Sequence, residues 1–183
     1  MTDEHAYEDL TAYGLDEADE AALLAEQDEC TFMWATKEGW PVGVIMAYVW
    51  RDSRFWLTAA GHRARIHAVR RDPRVSVCVT SKGTSLGGLK TVTYKGTCTI
   101  HDDDATKSWF YPALARHLIP GDEAFAAHFE RFLDSPERVI LEMGPTQRID
   151  YDGVKMMAAT IEWITRTAPP SGVQSTPDPR PSS

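Results

Sequence analysis

Apolar and polar positions alternate strictly through the middle of the chain. In RVSVCVTS (74–81), Val75, Val77 and Val79 recur at every second residue, the period of a strand with one buried face. β-Branched and aromatic residues also fill TFMWAT (31–36), PVGVIMAYVW (41–50), RFWLTA (54–59) and LKTVTYKGTCTI (89–100), and each is predicted to be a strand. Lys37-Glu38-Gly39 and Arg51-Asp52-Ser53 supply turn chemistry between the first three, which predicts an antiparallel meander. Strand character returns in ERVILEMGPTQRIDYDG (137–153), with an interruption at Gly144-Pro145. Gly96 reads as a bulge or a close backbone approach within its strand.

Three regions follow the helical period instead. Asp16 precedes EADEAALLAEQ, with acids in the first turn, and predicts a helix over 16–28. Ile66 and Val69 share one face of a short helix over 63–71. Asp72-Pro73 ends it, because the residue before proline is pushed out of the α region. After Asp102-Asp103-Asp104, residues 103–134 read as a helical insertion. It has a kink or restart at Pro112, a break at Gly121, and Phe125, Phe129 and Phe132 on one face. About six strands, mostly antiparallel, with few helices, close most naturally into a small barrel, which removes exposed edges. The expected organisation is a mobile N-terminus (1–14), one α+β, mainly β domain (15–165), and a disordered Pro/Ser-rich tail (166–183).

Composition narrows the partners. The chain has 183 residues, 43% hydrophobic, with a formal charge of −8. That suffices for one core and disfavours general nucleic-acid binding. No run of about 18 apolar residues is present, so no membrane span is expected. The acidic start lacks the apolar centre of a signal peptide. Cys30, Cys78 and Cys98 are widely spaced, without zinc-ligand spacing, and read as buried thiols of a cytoplasmic protein. No metal site is expected. His62 and His67 do not share a helix face, and the acids after His101 read as a helix cap.

Against this acidic background the stretch 58–74, TAAGHRARIHAVRRDPR, stands out. It holds five arginines, with Arg54 just upstream. A strand ends there, a glycine-containing loop follows, and a helix begins. Such a junction exposes free backbone N–H groups, and arginines beside it add forked donors, so the stretch is a candidate phosphate corner. Arg63 and Arg65 are its leading members. Arg70, Arg71 and Arg74 lie later and read as surface or ion-pair residues. No acid–base pair, nucleophile elbow or P-loop is evident, so the catalytic residues are unknown.

The hairpin WATKEGWPVGVIMAYVW, the strand RFWLTA, the block RARIHAVRRDPRVSV and the strand KTVTYKGTCTI together resemble the flavin-binding split-barrel superfamily. This group comprises pyridoxamine 5′-phosphate oxidase-like proteins and oxidoreductases that use FMN or coenzyme F-420. The most specific match is Arg65, Val69 and Pro73, followed by a strand; Gly96 matches the glycine that ends the next strand motif. The resemblance implies a six-stranded antiparallel split β-barrel and a homodimer with cofactor sites at the interface. It implies cofactor contacts from Arg63, Arg65, Thr58, Ala59, Met46, Tyr48, Lys90 and Thr91. The expected function is hydride transfer between bound FMN or coenzyme F-420 and a small conjugated substrate. The alternative is a non-catalytic flavin- or haem-binding carrier or sensor. Arginine stands at 65 where the family usually has lysine, and threonine at 91 where the oxidase often has glutamine. The end of the chain also lacks the oxidase's arginine-containing substrate segment, which argues against pyridoxamine phosphate itself as substrate.

Overall fold

The computed structural model describes residues 9–168. Seven antiparallel strands form one sheet: β1 (Glu29–Ala35), β2 (Pro41–Ala47), β3 (Val49–Arg51), β4 (Arg54–Ala60), β5 (Arg74–Thr80), β6 (Lys90–His101) and β7 (Arg138–Asp152). Their order is β2-β1-β5-β6-β7-β4-β3. The count is seven rather than six because the predicted strand 41–50 breaks at Tyr48. β2 and β3 therefore stand at opposite edges of the sheet yet are one residue apart in the chain. That connection is possible only if the sheet curls until its edges meet, which makes the split barrel.

Tyr48 occupies this seam. Its N–H donates to the Asp28 carbonyl at 3.3 Å, and its hydroxyl donates to the Leu24 carbonyl at 3.1 Å. Its ring is fully buried and meets Phe55 edge-on at 5.2 Å. Inside the barrel the predicted alternation holds. Phe55, Leu57 and Ala59 of β4, the three valines of β5, and Val92, Tyr94 and Cys98 of β6 all enter one core. Each large apolar side chain so buried stabilises the fold by roughly 1.5–3 kcal/mol.

Among the described residues five α-helices decorate the barrel: α1 (Glu17–Glu26), α2 (Ala64–Arg71), α3 (Asp104–Leu118), α4 (Glu123–Leu133) and α5 (Gly153–Thr167). α2 connects β4 to β5 and buries Ile66, Ala68 and Val69. α3 and α4 build a second apolar cluster around Phe110, Tyr111, Leu114, Leu133 and Ile140. Trp109 fastens α3 to the barrel, edge-on to Trp56 at 4.8 Å, with the Arg51 guanidinium 4.4 Å from its ring centroid.

Neither predicted break ends its element. α3 runs through Pro112. The proline removes one N–H, at a cost of about 3 kcal/mol, but Phe110, Tyr111, Leu114 and Ala115 are buried on either side of it and together outweigh that cost. β7 likewise continues through Gly144-Pro145. β4 pairs only with Arg138–Met143, so β7 has one free edge at Pro145, where a missing N–H is tolerated. The irregularity there is a bulge: Lys95 faces Gln147, Gly96 faces Pro145, and Thr146 is the extra residue. Gly96 is in close approach, as predicted, since a Cβ would lie 2.1 Å from the Gly144 carbonyl oxygen.

α5 was not foreseen. Asp152 caps it by accepting from the N–H groups of Val154 and Lys155, and Val154, Met157, Ile161 and Ile164 form an exposed apolar stripe along it. At the N-terminus, Leu10–Tyr13 forms a 3-10 turn with Tyr13 buried. The predicted tail lies outside the described residues from 169 onward, as do residues 1–8 of the N-terminal stretch.

Candidate functional site

The arginine-rich stretch is a strand-to-helix junction, as its sequence suggests. β4 ends at Ala60, Gly61 donates its N–H to the Glu137 carbonyl at 2.7 Å, and α2 begins at Ala64. Arg63 is its N-cap residue, with extended backbone and no side-chain cap. The N–H groups of Ala64 and Arg65 have no acceptor among the described residues, the usual state of a first helical turn open to an anion.

A cavity of about 300 Å³ opens beside this turn. Ile45, Met46 and Ala47 of β2, Thr58 of β4 and Arg65 of α2 form one part of its lining. Leu114 and Leu118 of α3 and Phe129, Phe132 and Leu133 of α4 form an apolar wall. The helical insertion is thus part of this cavity. Arg138, the first residue of β7, completes the lining.

The electrostatics are one-sided. Nε of Arg65 is buried and has no hydrogen-bond partner. Burial, and then the charges of Arg63 and Arg138, draw its pKa below the ordinary arginine value. No carboxylate pairs with Arg63, Arg65 or Arg138 among the described residues. Three other arginines of the region are committed to structure. Arg74 pairs with Asp72 at 2.6 Å and Arg54 with Glu142 at 3.0 Å, while Arg71 donates to the Ala35 carbonyl at 2.7 Å.

Met46, Thr58 and Arg65 come together in this cavity, and Arg63 acts on it through its charge. The Thr58 hydroxyl donates to the Val139 carbonyl at 2.9 Å. Ala59 points the opposite way, into the barrel core, and Tyr48 sits at the seam with its hydroxyl on Leu24. Lys90 and Thr91 do not line this cavity. The Lys90 ammonium pairs with Asp152 at 3.1 Å and with Asp19, and the Thr91 hydroxyl donates to the Val79 carbonyl at 3.1 Å. Arg138 was missed from sequence, because nothing local to the turn after Ser135-Pro136 links it to residues 63–65.

A larger cavity, about 590 Å³, lies on another side of the barrel, beside Trp34, Pro41, Val75 and the Gly96 bulge. Its lining holds Arg74, neutralised by Asp72, and Lys95, which pairs with no carboxylate among the described residues; the smaller cavity is the one in which two guanidinium groups share a lining without a carboxylate. Among the described residues no group of three or more His, Cys, Asp or Glu side chains could hold a metal ion. No helix among them is long and apolar enough to cross a membrane.

The sequence pattern of the pyridoxamine 5′-phosphate oxidase family matches residues 17–148. The chain belongs to this family. The match spans the barrel from α1 to most of β7 and includes the arginine-rich turn. No curated protein matches the chain in sequence.

Solved structures of the oxidase-like fold agree. A conserved hypothetical protein from Mycobacterium tuberculosis superposes with a TM-score of 0.67 at 18% identity, covering 79% of this chain and 89% of its own. An F420 reductase gives 0.56 at 19%, covering 74% and 98%. An FAD-binding protein from Mesorhizobium loti gives 0.56 at 20%, covering 74% and 94%. At these identities the likeness establishes the flavin-binding split-barrel fold. The cavity fits a phosphate-bearing group on its own evidence: a buried, unpaired Arg65 Nε, two free amides in the adjoining turn, and the Arg65 and Arg138 guanidinium groups without a carboxylate.

Proposed function

We propose that the chain is an oxidoreductase that transfers hydride between bound FMN or coenzyme F-420 and a small conjugated organic substrate. The observation that carries this reading is the unpaired cationic corner at Arg63 and Arg65 opening beneath an apolar wall. The two arginines and the first turn of α2 would hold the cofactor phosphate, and β2 around Met46 would lie along its ring. Hydride chemistry would be supplied by the cofactor; the chain binds, orients and excludes water. Leu118, Phe129 and Phe132 would shield the ring and receive an apolar substrate. We also propose a homodimer, in which Lys90 or Thr91 completes the partner's site at a shared interface. The absence of Lys90 and Thr91 from the cavity of their own subunit is in keeping with that arrangement. Three free cysteines agree with a reducing, cytoplasmic setting.

One observation favours a second reading, a non-catalytic flavin or haem carrier. The cavity lining holds no carboxylate, histidine or cysteine, so no group that titrates near neutral pH is present to deliver a proton. Side-by-side fluorescence titration with FMN and coenzyme F-420 tests the binding. Oxidation of the reduced, bound cofactor by an added acceptor separates the readings: turnover marks an oxidoreductase, tight binding without it a carrier. Failure to bind either cofactor would end the flavin reading.

A further inference from the structure

α5 lies beyond residues 17–148, the part of the chain that matches the family pattern. Its first turn is tied to the barrel. Gly153 donates its N–H to the Leu89 carbonyl at 2.9 Å, and the Tyr151 hydroxyl donates to Met156 Sδ at 2.9 Å. The Lys155 ammonium donates to the Gly14 carbonyl and pairs with Asp16, both at 2.9 Å. Along another side of the helix run Val154, Met157, Ile161 and Ile164, each half-exposed. Four such side chains in one line favour removal from water.

The spacing of that line indicates what covers it. Its steps are three, four and three residues, the a and d positions of a heptad. A helix that packs on a globular core shows a broader stripe, with apolar residues at e or g as well. Here those flanking positions hold Gly153, Ala158, Thr160, Thr165 and Thr167. The seam is therefore narrow and takes one further helix alongside. Its flanks suit a second α5. In a two-fold pair the same patch meets itself, so a charge at e or g would meet its like. None is present, and the small flanks let two backbones approach.

Other occupants fit less well. Residues 169–183 follow α5 directly but hold one aliphatic side chain, Val173, and residues 1–8 hold three acids. A lipid surface calls for several cations beside the stripe. α5 has two, and Lys155 is already paired with Asp16. Area makes the seam one part of a larger contact. Four half-exposed side chains fall well short of the roughly 800 Å² that a standard interface takes from each partner, so the seam must continue into a neighbouring surface. Leu89, at its root, is exposed and holds a positive φ of 82°, rare outside glycine. It precedes Lys90, and Tyr151 stands opposite Thr91 in register. The seam is thus continuous with the surface around Lys90 and Thr91.

We propose that the apolar seam of α5 pairs with the same seam of a second copy of this chain, two α5 helices lying side by side across a two-fold axis. This rests on the homodimer reading and extends it to a surface outside the family pattern.

Sedimentation velocity of the full chain over a concentration series tests the pairing, with far-UV circular dichroism as the check on folding. The wild type is expected to be a dimer at micromolar concentration. Ile161→Glu puts a charge into the seam and should weaken association about a hundredfold. Ile164→Glu should act alike and serves if the first variant does not fold. Glu162→Lys, outside the seam, should leave association unchanged; an equal loss there would overturn the seam. Ile161→Lys alone should fail as Ile161→Glu does, while an equimolar mixture of the two should recover most of the wild-type association, because opposite charges then meet. Association unchanged in both glutamate variants would remove α5 from the interface and leave the homodimer reading intact. Weakening without recovery in the mixture would put α5 on a different part of the partner and overturn the self-pairing. A wild type that stays monomeric throughout the series ends the homodimer reading and this proposal together, and co-sedimentation of that monomer with anionic phospholipid vesicles would assign the stripe to a lipid surface instead.

Discussion

Arg65 of α2 and Arg138 of β7 line one cavity with no carboxylate among its walls. Two charges of one sign, one of them with a buried and unpaired Nε, raise the free energy of the ligand-free protein. A bound anion relieves that, so ligand binding and stability should rise together. At a ligand concentration of 100 Kd the gain is about 2.7 kcal/mol, or roughly 5–10 °C in Tm for a chain of this size. Arg65→Gln should abolish most of the FMN-induced shift and weaken FMN about ten- to a hundredfold. Differential scanning fluorimetry with and without FMN reads both; an equal shift in the variant would remove Arg65 from the site.

Gly96 and Gly144 meet across the β6–β7 bulge. A methyl at 96 would press on the Gly144 carbonyl oxygen at 2.1 Å and on Met143 Cε at 2.7 Å, and backbone cannot yield as a flexible side chain can. Gly96→Ala should therefore destabilise the fold by about 1–3 kcal/mol or more. Chemical denaturation monitored by tryptophan fluorescence measures it. A variant as stable as wild type would mean that the bulge re-registers freely.

Lys90 and Asp152 join the start of β6 to the cap of α5, at 3.1 Å. Burial alone would raise the Asp152 carboxyl, but the Lys90 ammonium and the N–H groups of Lys155 and Val154 outweigh it and hold its pKa below the ordinary value. A depressed carboxylate stabilises the fold above its unfolded pKa and loses that contribution as pH falls through the folded one, so this part fades below about pH 4. Lys90 runs the other way. Its hydrogen bond to Asp19, against burial, and then the one to Asp152 raise its pKa. Its share is full below the unfolded value and is lost above about pH 10.5. Asp152→Asn should cost about 1–3 kcal/mol at pH 7 and less at pH 3. Equal losses at both pH values, by urea denaturation, would show that this pair does not shape the acid limb.

The three thiols differ in access. Cys30 and Cys98 are buried, at 2% and 5% exposure. Burial pushes both pKa values up, that of Cys98 to about 12, with Glu142 adding to it. Cys78 is only half-buried. Because the thiolate is the reactive form, a disulfide reagent at pH 8 should label one thiol of the native protein, at Cys78, and three after denaturation. Rapid labelling of two or more in the native state would contradict this burial.

Much of the fold was legible in the sequence because its determinants are local. The period-two valines of β5, the turn at 37–39, Pro73 after α2 and Gly96 each act through neighbours in the chain. The arginine-rich turn was legible for the same reason, since a loop entering a helix exposes its own amides. What required the tertiary structure was everything set by long-range register. Tyr48 divides a predicted strand because the two halves must serve opposite edges of a curling sheet. Pro112 and Pro145 do not end their elements because burial around one and a free edge beside the other outweigh local preference. α5 is helical through a cap at Asp152 and a stripe at Val154, Met157, Ile161 and Ile164, a spacing present in the sequence but placed after β7 by the fold. Arg138 shows the division most plainly. Its charge is in the sequence, but only its pairing with Ala60 across the sheet carries that charge to Arg65, because strand register, not sequence distance, decides which side chains share a cavity.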